Sequence, residues 1–222
     1  STRAIIVCTP NNPAGRVLTR AELEGIAALC RRHDAYAVTD EIYEHIYYEG
    51  THVPIATLDG MRERTVTISG ASKTFSVTGW RIGYSVAARR WAQAIGAIND
   101  LLYVCAPAPL QMGVARGIRE LPDSFYQQLR QEYQGKREKF CRALSQAGIT
   151  PCIPEGAYYV LADVSHLPGE TGKARAMSLL GKTGVAGVPG EAFFTSKTGA
   201  GLIRFSYAKT DQDLEEACRR FI

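Results

Sequence analysis

The chain has 222 residues, of which 45% are hydrophobic and 22% are charged, close to the average composition of globular proteins. This composition excludes a disordered, collagen-like or low-complexity chain and supplies enough apolar side chains for a sizeable core. The net charge is +4, from 26 Lys and Arg against 22 Asp and Glu, and these charges are spread along the chain. Nucleic acid is therefore not expected as a partner. No apolar run approaches the roughly 18 residues of a membrane span, so a membrane is not expected either.

The six cysteines are widely spaced and include no C-x-x-C pair. In a chain of this length we interpret them as buried or free thiols of a protein in the reducing cytoplasm. The four histidines show no spacing typical of zinc ligands, so no metal site is expected.

The first part of the chain alternates short strands with helices. Ala4–Cys8 is an all-apolar run, which predicts a strand covered on both faces. Thr19 and Glu22 form a T-x-x-E capping box, which predicts a helix that ends near His33. Further strands are expected at 36–39, 65–69 and 81–87, a polar loop at 70–78, and helices at 89–104 and 110–121. This alternation predicts an α/β fold with a doubly wound, mainly parallel sheet, which binds ligands at the carboxyl ends of its strands.

The pattern changes near residue 123. A long helix is expected at 124–147, with Gly148 as its stop. Shorter elements follow: strands at 158–164 and 202–206, a helix at 173–182 and a last helix capped by Thr210. We therefore predict two domains. Residues 1–123 are part of a large domain, and residues 124–222 form a smaller α+β domain that is reached through the long helix.

Polar side chains follow several of the predicted strands. Taken singly, each has an ordinary explanation, since Asn-Asn-Pro is usually a turn and a lone lysine is usually solvated. Taken together, their order and local sequence are informative. The candidate residues are Asn12, Asp40, Tyr43, Ser72, Lys73, Arg81 and Arg204.

From Pro10 onward the chain resembles the class I/II aminotransferases, a family of pyridoxal-phosphate enzymes of fold type I. The most specific match is the S-K-T-F block at 72–75, which leads into G-W-R-I-G-Y at 79–84. The other matches are N-N-P-A-G at 11–15, T-D-E-I-Y at 39–43, P-E-G-A-Y-Y at 154–159 and I-R-F-S at 203–206. The resemblance extends over essentially the whole chain.

The resemblance implies pyridoxal 5'-phosphate as cofactor and assigns catalytic roles. It implies that Lys73 forms a Schiff base with the cofactor and then moves the proton at the substrate Cα. Asp40 faces the pyridine nitrogen and keeps it protonated. An opposite charge at about 4 Å, with an effective dielectric near 20, is worth roughly 4 kcal/mol before desolvation. Tyr43 is expected to donate a hydrogen bond to the phenolic oxygen of the ring.

The remaining candidates are expected to bind the cofactor or the substrate. Arg81 holds the phosphate with its guanidinium fork, and Ser72 completes this cofactor site. Asn12 bonds to the ring oxygen and lies on the substrate side, and its peptide bond with Pro13 is expected to be cis. Arg204 binds the substrate α-carboxylate through two parallel hydrogen bonds.

The expected activity is that of an amino-acid aminotransferase with a ping-pong cycle between an amino acid and a 2-oxo acid. The nearest subgroup is the one that covers aspartate, aromatic and kynurenine aminotransferases, and a homodimer is expected for the complete protein. Two alternatives stay open. One is a pyridoxal-phosphate lyase, such as a carbon–sulfur lyase or a cyclopropane-forming synthase. The other is a sensor domain or an inactive fragment.

The chain also departs from the family pattern in two places. Family members carry a substantial portion before the N-P-x-G turn, so we expect this chain to be the C-terminal portion of such a protein. Some relatives carry a hydroxyl residue three positions before the lysine. Here that position is Gly70, which predicts the loss of one phosphate contact.

Overall fold

The computed structural model describes residues 2–195 and 197–221, which form two compact units. Unit 1 contains the described residues up to Pro10 together with Val17–Leu129. Unit 2 contains Asn11–Arg16 and the described residues from Arg130 onward. The predicted domain boundary at residue 123 stays a prediction, and the units divide a few residues later, within the long helix.

Unit 1 is built on a four-stranded sheet with the order β1-β2-β3-β4. The strands are β1 (Ala4–Cys8), β2 (Tyr36–Asp40), β3 (Thr65–Gly70) and β4 (Gly83–Ala87). The first three strands run parallel, and β4 is antiparallel to β3. The prediction of an α/β fold with a mainly parallel sheet is confirmed.

The helices of unit 1 are α1 (Arg20–Arg32), α2 (Ala71–Thr74), α3 (Arg89–Tyr103) and α4 (Ala108–Glu120). The predicted capping box at the start of α1 is present. The Thr19 hydroxyl accepts from the Glu22 amide at 3.3 Å, and the Glu22 carboxylate accepts from the Thr19 amide at 2.9 Å. The loop predicted at 70–78 is wrong in part, because α2 is a helical turn closed by a bond from the Phe75 amide to the Ala71 carbonyl.

The prediction that β1 is covered on both faces is wrong. Val7 is 5% exposed, whereas its neighbour Ile6 is 80% exposed. Successive residues of a strand point to opposite faces, and α1 packs on only one of them, where Leu23 and Ala27 join Val7 in the core. Within the described part of unit 1, the face that carries Ile6 has no such cover.

Unit 2 contains most of α5 (Asp123–Gln146) and an antiparallel sheet with the order β5-β6-β8-β7. Its strands are β5 (Thr150–Cys152), β6 (Tyr159–Asp163), β7 (Val188–Pro189) and β8 (Leu202–Ser206), and its other helices are α6 (Gly172–Thr183) and α7 (Asp211–Phe221). This confirms the predicted α+β character of the smaller region. The sequence did not predict β5 and β7 because each is at most three residues long and contains a proline.

The described cysteines are all free thiols. Within the described residues, none of the helices combines the length and the apolar character that crossing a membrane requires.

Candidate active site

Asp40 ends β2, the second strand of the parallel sheet. Its Oδ1 accepts a hydrogen bond from the Ile42 amide at 3.1 Å, and its carbonyl accepts one from the Thr9 amide at 3.1 Å. Asp40 lies beside Ile68 of β3, and Lys73 follows β3 by three residues. Because parallel strands end at the same edge of a sheet, this edge brings together the segments that carry Asp40 and Lys73.

The segment from Ser72 to Arg81 is held together by a series of hydrogen bonds. The Thr78 hydroxyl donates to the Ser72 carbonyl at 3.1 Å, and Arg81 Nη1 donates to the Thr78 carbonyl at 3.0 Å. The Ala71 amide donates to the Ile82 carbonyl at 3.1 Å, which fixes the start of α2 against the residue that follows Arg81. Lys73 and Arg81 are therefore carried by one locally bonded segment.

Arg81 adopts a left-handed backbone conformation, with φ 57° and ψ 38°. A residue with a Cβ seldom takes this conformation, which costs on the order of 1 kcal/mol or more and is common at ligand-binding sites. Ser72 and Lys73 are half-buried and Arg81 is exposed, whereas Tyr43 is only 3% exposed. The lysine and the arginine are thus more accessible than the tyrosine.

Gly70 occupies a position that has no space for a side chain. A Cβ there would lie 2.9 Å from the Ile82 carbonyl oxygen and 3.0 Å from the Gly83 Cα. Gly70 pairs directly with Gly83 across β3 and β4, so two glycines let these strands approach closely. This close approach gives a packing reason for glycine at this position.

In unit 2, the Asn11–Arg16 turn is fixed by its own side chain and by a neighbouring loop. The Ala14 amide donates to Asn11 Oδ1 at 3.1 Å, and the Asn12-Pro13 peptide bond is cis, as expected. The Gly15 carbonyl accepts from the amides of Glu155 and Gly156 at 2.9 and 2.7 Å. The N-N-P-A-G and P-E-G-A motifs therefore meet through main-chain hydrogen bonds.

Arg204 is held in one orientation by three side chains of unit 2. Its Nη1 donates to Asn12 Oδ1 at 2.7 Å, and its guanidinium carbon lies 4.2 Å from the ring centre of Tyr159 and 4.6 Å from that of Phe193. Its Nε is buried and has no hydrogen-bond partner among the described residues. A guanidinium held by two aromatic rings is oriented in advance for two-point binding of a carboxylate.

Sequence reasoning missed the contribution of Phe193. It favoured a core position over a substrate-side position for Tyr158 and Tyr159, because two aromatic residues on a strand are more often core. Tyr158 is 8% exposed and packs between the rings of Tyr133 and Tyr159, and the Tyr159 ring also stacks on Arg204. The available signal for Tyr159 was its place in the P-E-G-A-Y-Y motif, whereas Phe193 lies outside the motifs that carry the resemblance.

The structure places five of the predicted site residues in unit 1 and two in unit 2. Unit 1 holds Asp40, Tyr43, Ser72, Lys73 and Arg81, and unit 2 holds Asn12 and Arg204. The unit 1 set is chemically suited to pyridoxal phosphate: an amine for its aldehyde, a carboxylate for its ring nitrogen and a guanidinium for its phosphate. The strained Arg81 backbone beside this set is consistent with a ligand site.

Comparisons with known proteins agree with this chemistry. The family model described as aminotransferase class I and II matches residues 1–221. The kynurenine–oxoglutarate transaminase 3 of Mus musculus is 37% identical over 97% of this chain and 52% of its own length. The aspartate aminotransferase of Pyrococcus abyssi is 38% identical over 99% of this chain and 56% of its own length.

Solved structures give the same result. The N-succinyldiaminopimelate aminotransferase of Mycobacterium tuberculosis superimposes with a TM-score of 0.93 at 34% identity, over 99% of this chain and 57% of that one. The aromatic aminotransferase of Pyrococcus horikoshii gives a TM-score of 0.89 at 36% identity, over 99% and 59%. The chain thus spans about half the length of the relatives it matches. It belongs to the class I and II aminotransferase family, whose members generally depend on pyridoxal phosphate.

Proposed function

We propose that the protein is a pyridoxal-phosphate-dependent aminotransferase that moves an amino group between an amino acid and a 2-oxo acid in a ping-pong cycle. The observation that carries this proposal is the Arg204 guanidinium, stacked between Tyr159 and Phe193 and bonded to Asn12. It is an oriented carboxylate-binding group in a chain that also carries the lysine block of the family. Both substrates of a transamination carry that carboxylate.

The residues of unit 1 carry the cofactor and the proton in this proposal. When bound, pyridoxal phosphate supplies the electron sink that accepts negative charge from the substrate Cα. Lys73 Nζ holds the cofactor and moves the proton at that carbon. The Asp40 carboxylate keeps a proton on the ring nitrogen, Tyr43 donates to the ring oxygen, and Arg81 with Ser72 binds the phosphate.

The residues of unit 2 bind and orient the substrate in this proposal. Arg204 takes the α-carboxylate, and the Asn12 side-chain oxygen accepts from Arg204 and so holds it in place. The relatives are named for kynurenine with oxoglutarate, for aspartate and for aromatic amino acids. We propose substrates from this same range.

We further propose that the active form is a homodimer in the cytoplasm. The exposed apolar residues of unit 1, such as Leu101 and Leu102, support an assembly that covers them. The free thiols at all described cysteines support a reducing compartment.

The experiment is the absorption spectrum of the full-length protein with pyridoxal phosphate, recorded before and after glutamate or aspartate is added. We expect a protein-bound cofactor band that the amino acid converts to the pyridoxamine form, with one equivalent of 2-oxo acid released. Lys73→Ala should abolish the conversion. The matched control Lys173→Ala, which removes an exposed lysine of α6, should leave it intact.

Two results would contradict the proposal. One is catalytic release of ammonia, pyruvate and sulfide from added cysteine, with no pyridoxamine form from glutamate or aspartate, which is the behaviour of a carbon–sulfur lyase. The other is the absence of any bound-cofactor band in the full-length protein, which indicates a non-catalytic domain.

A further inference from the structure

A buried carboxylate lies directly behind the predicted cofactor residue Asp40. The Glu41 side chain is 1% exposed, and two donors satisfy it. The Thr39 hydroxyl donates to Oε1 at 2.8 Å, and His52 Nε2 lies 2.7 Å from Oε2. A carboxylate is retained in a protein interior only when such partners offset the loss of water.

The backbone places Asp40 and Glu41 on opposite sides of the same chain segment. Side chains alternate along an extended strand, so Thr39 and Glu41 share one side and Asp40 takes the other. The Glu41 amide donates to the Ile68 carbonyl at 2.8 Å, and the Ile42 amide donates to Asp40 Oδ1 at 3.1 Å. The Ile42 amide belongs to the peptide group that joins Glu41 to Ile42. A rotation of this peptide group therefore also moves the Asp40 carboxylate that is bonded to it.

His52 ties this segment to the loop that follows it. Its side chain is 6% exposed, and its Nδ1 is buried with no hydrogen-bond partner among the described residues. The bond to Glu41 is thus the one side-chain anchor that the structure gives for the ring. An imidazole buried in this way holds Glu41 in one place rather than exchanging it with water.

A second carboxylate, Glu44, extends the network to the neighbouring strands. Its Oε1 accepts from the Ser69 hydroxyl at 2.6 Å and from the Tyr84 hydroxyl at 3.2 Å. Burial raises the pKa of the Tyr84 hydroxyl, so it stays protonated and can donate. Glu41, Glu44 and His52 present ligand atoms within 4.8 Å of one another, but both carboxylates already accept protein donors. The arrangement is therefore a set of hydrogen bonds between protein groups.

We propose that Glu41 and His52 are positioning residues for Asp40. The buried bond between Glu41 and His52 fixes the peptide group that joins Glu41 to Ile42. The Asp40 carboxylate therefore stays in the orientation in which the Ile42 amide holds it. This inference rests on the proposed function in one respect: the orientation of Asp40 serves contact with the cofactor ring. The locking itself is a property of the protein without cofactor.

The test is amide hydrogen exchange in the full-length protein without cofactor, for wild type, Glu41→Gln and His52→Gln. We expect exchange at the Ile42 amide to become at least tenfold faster in both variants. The control Glu63→Gln, which neutralises an exposed carboxylate of the same unit, should leave it unchanged. The Ala37 amide, earlier in β2, reports general loosening.

Two less disruptive variants, both at Thr39, keep the test decisive if Glu41→Gln or His52→Gln fails to fold. Thr39→Val removes only the hydroxyl donor and should accelerate exchange at Ile42, while Thr39→Ser should keep the wild-type rate. Unchanged exchange at Ile42 in every folded variant would overturn the proposal. An equal acceleration at Ala37 would overturn it as well, because the role would then be general stability.

A second measurement separates this proposal from the proposed function. With pyridoxal phosphate bound, the pH dependence of the cofactor band should shift in His52→Gln and stay unchanged in Glu63→Gln. If the cofactor does not bind at all, the proposed function fails while the exchange result still decides the positioning role.

Discussion

Unit 2 exposes few of its large apolar side chains, whereas unit 1 exposes many. Among the residues that the structure describes, the exposed large hydrophobic side chains of unit 2 are Ile153, Met177 and Phe194. Those of unit 1 are Ile6, Leu29, Ile68, Trp80, Tyr84, Val86, Ile95, Ile98, Leu101, Leu102, Tyr103, Val104, Met112 and Ile118. Unit 2 thus completes a core with its own elements, while unit 1 presents a surface suited to further polypeptide.

Two helices show the difference directly. The structure describes α3 throughout, and none of its residues is buried; Leu101 is 87% exposed. In unit 2, α5 carries Leu144 and Phe140 into the core, where the Phe140 ring lies 5.9 Å from that of Phe205. Both α3 and α5 have an apolar face. The difference is that unit 2 has elements that pack on the apolar face of α5, whereas the described part of unit 1 has none that bury α3.

The largest expected effect on stability is in the closed core of unit 2. Leu144 is 0% exposed, so Leu144→Ala should leave a cavity and lower the free energy of unfolding by about 2–5 kcal/mol. Urea denaturation followed by circular dichroism measures this change. A loss below about 1 kcal/mol would show that the core of unit 2 is looser than its burial indicates.

Arg204→Lys should raise KM for the amino acid roughly 100-fold, about 2.7 kcal/mol, because an ammonium lacks the planar fork that binds a carboxylate at two points. The dissociation constant of pyridoxal phosphate should change far less. Steady-state kinetics and cofactor titration check both quantities, with Arg142→Lys on an exposed face of α5 as the control. Equal losses of substrate and cofactor affinity would remove Arg204 from the substrate site.

Gly15→Ala should destabilise unit 2 more than Gly148→Ala. Both glycines have a positive φ, +70° and +76°, so both substitutions carry a backbone cost of about 1 kcal/mol. Only at Gly15 would the new Cβ also collide with Pro154, whereas nothing lies within 4 Å at Gly148. Thermal unfolding of the two variants isolates the contact, and equal losses would show that the turn is not packed on Pro154.

The thiol chemistry of unit 2 offers a pH-dependent test of its closed core. Burial raises the pKa of the Cys141 thiol to about 11, whereas Cys105 in unit 1 is exposed. At pH 8, alkylation of Cys141 by iodoacetamide should be roughly 100-fold slower than that of Cys105. Because the folded pKa is raised, the stability from the neutral Cys141 thiol is present below its ordinary pKa and is lost as pH rises through about 11. Peptide mass spectrometry that finds equal alkylation rates would contradict the closed core.

The smallest expected effect on stability is on the open face of unit 1. Leu101→Ala is the same substitution as Leu144→Ala but should change the free energy of unfolding by less than about 0.5 kcal/mol. Leu101→Gln should instead reduce self-association, as analytical ultracentrifugation measures. A large loss of stability on Leu101→Ala would show that α3 is already covered in the protein.

The sequence predicted those features that depend on local pattern. The capping box at Thr19 and the strand Ala4–Cys8 were both predictable, because capping and apolar runs are local signals. The exposure of Ile6 and the network around Glu41 were not, because both depend on which residues distant elements bring together. The I-R-F-S motif predicted Arg204 as a site residue. Its aromatic partner Phe193 was not predicted, because it lies on a loop whose sequence gives no sign of contact with β8.

The most direct test of the proposed function is to locate the cofactor on the chain. The full-length protein is incubated with pyridoxal phosphate, reduced with borohydride, digested and analysed by mass spectrometry. We predict a covalent label on the peptide that contains Lys73, and no label there in Lys73→Ala. A label confined to other lysines, or no label above that of a denatured control, would contradict the assignment of this chain as a pyridoxal-phosphate enzyme.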